Sequence, residues 1–147
     1  MRPVRSNRRH ASLLLTLCLL TVLASGCAKA ESPEAFYAEN REMLANAVQK
    51  IMETGAFDEI ELQGVERISC WEAEQTVVAF TLSVSGLVPE STYRGIYYSA
   101  AGTPVAFQGA NVPLTETETG WAWAVEDDNC GTTAHIEGNW FTFEAVF

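Results

Sequence analysis

Three successive patterns of apolar and polar positions divide this chain. From Ala11 to Ala24 no position is charged and most are aliphatic. Further on, Phe36, Tyr37, Met43, Leu44, Ala47, Val48, Ile51 and Met52 recur at intervals of three or four, with Glu39, Arg41, Glu42, Gln49, Lys50 and Glu53 between them. That spacing is the signature of an amphipathic helix. Ser32 is suited to the N-cap and Pro33 to the first helical position, where its missing N–H costs nothing. Glu34 favours the positive helix end, and Gly55 supplies a C-cap. The pattern predicts a helix over residues 33–54.

Beyond Gly55 the period changes to two. Val78, Phe80, Leu82 and Val84 alternate with Ala79, Thr81, Ser83 and Ser85, as in a half-buried strand. Ile60 to Leu62 and Val65 to Trp71 also read as strand, with Gly64 as a bulge or bend. Gly86 to Glu90 breaks the pattern, Tyr93 to Ser99 resumes it, and Val105 to Phe107 is a brief extended piece. Asn111 to Thr115 and Trp121 to Glu126 flank a polar turn ending in Gly120, which suits a hairpin. Trp140 to Phe147 forms the final strand.

One helix followed by strands on short turns predicts an α+β domain. The N-terminal amphipathic helix would pack on a curved antiparallel sheet of about five to six strands. A cystatin-like arrangement is the expected architecture, and an all-β barrel with the helix outside it is the runner-up.

The first apolar run sets the address. Arg2, Arg5, Arg8 and Arg9 precede it, and Leu23-Ala24-Ser25-Gly26-Cys27 closes it. A cationic start, a short apolar core and small residues make a secretory signal. The uncharged stretch through Ala28 falls short of the roughly 20 apolar residues of a membrane-spanning helix. A spanning anchor is therefore second best, and cleavage by an ordinary signal peptidase is third. Arg8-Arg9 sits in surroundings that fit twin-arginine export poorly. A cysteine directly after Ala-Ser-Gly resembles the lipobox of bacterial lipoproteins, with Ala24 as the departure from its commonest form. The resemblance implies a diacylglycerol-modified, palmitate-bearing Cys27 on the outer face of the cell membrane. Residues 1–26 are then signal peptide, residues 27–32 the acylated cysteine and a short tether, and residues 33–147 a single domain. So short a tether keeps any protein partner close to the membrane.

Export changes the charge. The whole chain carries a net charge of −10; the signal takes four arginines with it, leaving five basic against nineteen acidic side chains and a net −14. Such a field repels phosphate backbones and argues against nucleic acid as a partner. Export also leaves Cys70 and Cys130 as an even pair in an oxidising compartment, a candidate disulfide worth about 3–4 kcal/mol.

Catalytic signals are sparse. His135 is the sole histidine after the signal, in strand context, and no nucleophile elbow, zinc-binding helix, phosphate loop or paired-cysteine motif is present. The expectation is a protein that is not an enzyme and uses no cofactor. Glu126, Asp127, Asp128 and Asn129 make a weak calcium candidate, since Gly131 and Gly138 fall where a calcium loop needs ligands. Aromatic side chains offer the other opening. Trp121, Trp123, Tyr97 and Trp140 are candidate ligand or partner contacts on the sheet, set against their use as core.

The stretch from Gly86 to Ser99, its continuation Pro104 to Gly109, and the end from Gly120-Trp121 through Asn129 to Trp140–Phe147 resemble small uncharacterised lipoproteins of Gram-positive gut Clostridia. Cys130 stands where those sequences place a histidine. The resemblance implies a surface-tethered domain and adds no catalytic residue. The first expectation is an accessory or protein-binding lipoprotein; the alternative is a solute- or glycan-binding module using the sheet aromatics.

Overall fold

The computed structural model describes residues 32–72, 75–87, 90–107, 112–125 and 129–147. The signal, Cys27, the tether up to Glu31, and Glu126, Asp127 and Asp128 of the acidic cluster lie outside the described residues.

The helix α1 spans Pro33–Thr54. The Ser32 side chain accepts from the Ala35 amide at 3.2 Å, Pro33 opens the first turn, and Gly55 closes the last with φ 69° and its N–H on the Ile51 carbonyl. Only Gly takes that left-handed cap at little cost. Asn40 leaves helical geometry (φ −115°, ψ 17°), and its amide nitrogen donates to the Phe36 carbonyl.

Seven strands follow: β1 Arg67–Glu72, β2 Thr76–Leu87, β3 Glu90–Ser99, β4 Thr115–Thr117, β5 Gly120–Ala124, β6 Cys130–Glu137 and β7 Trp140–Val146. They form one open antiparallel sheet in the order β1-β2-β3-β7-β6-β5-β4. The domain is thus α+β, with seven strands rather than five to six. The strand that the periodicity does not delimit is β6, around His135, whose strand context the sequence indicates. Its residues Gly131, Thr132, Thr133, Ala134 and His135 carry little apolar alternation, so period alone hides it; cross-strand pairing with β5 and β7 creates it. Conversely, Ile60 to Leu62 lies outside the sheet as an irregular segment beside α1, the chain bends at Gly64 as its sequence suggests, and register shifts fall at Thr81/Ser83 and His135/Glu137. Gly64 turns the chain at φ 81°, where a β-carbon would strike the Phe36 ring at 2.6 Å.

Register separates the two faces. Cys70, Val78, Tyr98 and Trp140 align across β1, β2, β3 and β7 on the face that α1 covers. Leu44, Ile51, Phe80 and Ile96 are fully buried there, each worth roughly 1.5–3 kcal/mol. Ala79, Tyr97, Phe141 and His135 align on the opposite face. There the segment carrying Val105, Ala106, Phe107, Val112 and Leu114 covers a second core containing Trp123 and Phe143. One sheet with a different cover on each face explains why aromatic residues alternate to both sides of β7.

Candidate functional site

Three of the four aromatics that the sequence nominates for contact are packed inside. Tyr97 is 2% exposed, Trp123 4% and Trp140 8%, whereas Trp121 is half-buried. Trp140 sits under α1 between Tyr37, Phe80 and Tyr98, with ring centroids 5.3–6.1 Å apart. Trp123 packs over Gly131, where a β-carbon would lie 2.7 Å from the indole and 2.4 Å from the Glu144 carbonyl. Gly95 makes the same room for Phe143. These rings are structural because, among the described residues, a helix covers one face of the sheet and a loop segment the other.

Tyr97 has a second role. Thr133 Oγ1 donates to the Thr142 carbonyl at 2.8 Å, so the 2.7 Å contact between Tyr97 and Thr133 uses the phenol proton. The same hydroxyl accepts from the Val105 amide at 3.0 Å and so fastens the covering segment to the sheet. Burial pushes the Tyr97 phenol up to about 12, with the bonds to Thr133 and Val105 opposing the rise. Gln75 holds the start of that segment through Ser99 Oγ, the Ala101 amide and Thr103 Oγ1.

Cys70 and Cys130 do not pair. Both are free thiols. They stand on β1 and β6, with β2, β3 and β7 between them, and four strand spacings of about 4.8 Å separate them by roughly 19 Å. A disulfide needs Cα atoms within about 7 Å. Cys70 is half-buried and its thiol is pushed up by burial and then by Glu72.

His135 is exposed on β6. One ring nitrogen, Nε2, lies 2.9 Å from the Gly138 carbonyl, and the ring meets Phe141 edge-on at 5.1 Å. Trp121 also meets Phe141 edge-on, at 6.4 Å. Of the acidic cluster, the described Asn129 uses its carbonyl to accept from the Val125 amide. No group of three His, Cys, Asp or Glu side chains among the described residues could hold a metal ion.

Two features went unread in the sequence. At the start of α1, the Tyr37 hydroxyl donates to Glu137 Oε1 at 2.8 Å, and Arg41 forks onto the same carboxylate at 3.0 and 3.1 Å while lying over the Tyr37 ring. This clasp joins the helix to the β6–β7 turn. Farther along, α1 and the segment 59–62 enclose a shallow groove of about 760 Å³. Glu39, Glu42, Asn46 and Lys50 form its helical wall, Glu59 and Glu61 the other, and Met43, Ala47, Ile60 and Leu62 its floor. The alternation Glu59-Ile60-Glu61-Leu62, which reads as strand, was the available signal. It reports an irregular segment with Ile60 and Leu62 half-buried against the helical core and Glu59 and Glu61 exposed.

Comparison with family models, curated proteins and solved structures returns no match.

Proposed function

We propose that this protein is a lipoprotein anchored through Cys27 to the outer face of a bacterial cell membrane, where it serves as a non-enzymatic accessory or protein-binding module. The carrying observation is the sequence Leu23-Ala24-Ser25-Gly26-Cys27 behind a short apolar run and four arginines. The short stretch between Cys27 and the Ser32 cap keeps the domain, and therefore its partner, near the membrane. The consumption of Tyr97, Trp123 and Trp140 by packing supports recognition through the remaining surface rather than through an aromatic platform. The helix preceding an antiparallel sheet supports a cystatin-like arrangement, in which the sheet curves around the helix.

Fractionation of cells producing the full chain or its Cys27→Ala variant tests the address. The parent is expected with the membrane and the variant in the soluble exported fraction. Equal membrane retention of both would overturn the lipid anchor in favour of a spanning segment.

A second reading, a glycan-binding module, draws on Trp121 and His135, which both pack edge-on with the Phe141 ring and are half-buried and exposed respectively. Saturable quenching of tryptophan fluorescence by oligosaccharides, lost in Trp121→Ala, is its expected sign.

A further inference from the structure

We propose that the groove between α1 and residues 59–62 docks an extended basic segment of a partner protein. The proposal rests on the protein-binding reading above and names the chemistry of the partner. Four carboxylates, Glu39, Glu42, Glu59 and Glu61, face one ammonium group, Lys50, across a floor that includes the half-buried Ile60 and Leu62. No three acidic side chains among the described residues converge closely enough to hold a metal ion. The negative charge is therefore spread along the groove, which suits several cationic side chains in a row rather than a single divalent ion.

Glu39, Glu42, Asn46 and Lys50 stand three to four residues apart and share one ridge of the helix. Glu59, in the turn closed by the Ile60 amide on the Phe57 carbonyl, and Glu61 are both exposed beside that ridge. From Glu39 to Lys50 the helix rises about 16 Å, which is the span of about five extended residues. A segment alternating Lys or Arg with an apolar residue would set its cations against the carboxylates and its apolar side chains against Ile60 and Leu62.

The direct test is titration of the full chain with the fluorescent peptide KLKLKL at low ionic strength. Saturable binding is expected, and replacing lysine by glutamate or leucine by serine in the peptide should abolish it. Glu59→Gln with Glu61→Gln should weaken binding by up to about tenfold, because two exposed charge pairs together contribute on this scale. Glu116→Gln with Glu118→Gln, which removes the same charge from the β4 region, should leave binding unchanged. Equal weakening by both pairs, or no saturable binding, overturns the groove. Photocrosslinkers placed at Asn46 and at Thr132 in producing cells separate this proposal from the broader one. A protein adduct from Asn46 that disappears with the Glu59/Glu61 pair supports the groove. Adducts from Thr132 alone overturn it while sustaining the protein-binding reading, and adducts from neither position count against both.

Discussion

The hydroxyl of Tyr97 lies 2.7 Å from Thr133 Oγ1, and through that single phenol three elements meet: β3, β6 and the segment at Val105. The cover on one face of the sheet is therefore held by a polar contact inside an apolar core. Phe107, stacked on Phe143 at 4.4 Å, supplies the apolar part of the same attachment.

Tyr97→Phe leaves the Val105 amide without its acceptor. A loss of about 1–3 kcal/mol is expected, the usual cost of an unsatisfied buried group. Urea unfolding followed by near-ultraviolet circular dichroism would measure it; an unchanged midpoint would show that the segment is held by packing alone.

The phenols also set an alkaline limit. Tyr97 and Tyr37 are both pushed up to about 12 from an ordinary 10, in each case chiefly by burial. Between those values the unfolded chain releases the proton while the folded chain keeps it, so this contribution to stability is complete below pH 10 and declines as pH rises toward 12. Denaturant midpoints across that window should fall less steeply in Tyr97→Phe than in the parent.

Gly131→Ala and Gly138→Ala should differ in kind. At Gly131 the added carbon meets the Glu144 carbonyl and the Trp123 indole, so a loss of about 3 kcal/mol or more and a shift in tryptophan emission are expected. At Gly138 nothing lies within 4 Å, and the cost is the strain of φ 52°, about 1–2 kcal/mol with unchanged emission. Thermal melts with fluorescence detection distinguish the two.

Glu137→Ala removes the acceptor of the helix clasp. The Arg41–Glu137 pair is about half-exposed, with side-chain exposures of 58% and 47%, so its own contribution is about 0.2–1 kcal/mol and is screened by salt. The stability gap between parent and variant should narrow at high ionic strength but persist in part, because the Tyr37 hydroxyl has also lost its partner.

The free thiols should behave independently. A maleimide should label the exposed Cys130 before the half-buried Cys70, whose thiol burial pushes up, and a reductant should leave the melting temperature of the domain unchanged. A lower melting temperature in reductant would restore the disulfide.

By itself the sequence determined the features that arise from neighbouring residues. Ser32, Pro33 and Gly55 delimit α1 because caps act within one helical turn, and the alternation through Val78 to Val84 marks β2 because facing water or core repeats every two residues. The expectation of an exported, lipid-bearing chain also rests on contiguous residues, from Arg2 to Cys27. Tertiary structure decided what depends on residues far apart. It made β6 a strand through ladders to β5 and β7, and it buried Trp123 against a glycine eight positions away. It also set Cys70 and Cys130 four strands apart, because strand order follows pairing and not spacing along the chain. The groove belongs to this second class. Its two carboxylate walls come from a helix and from the irregular segment that follows it, so their charges become neighbours only after the chain has packed.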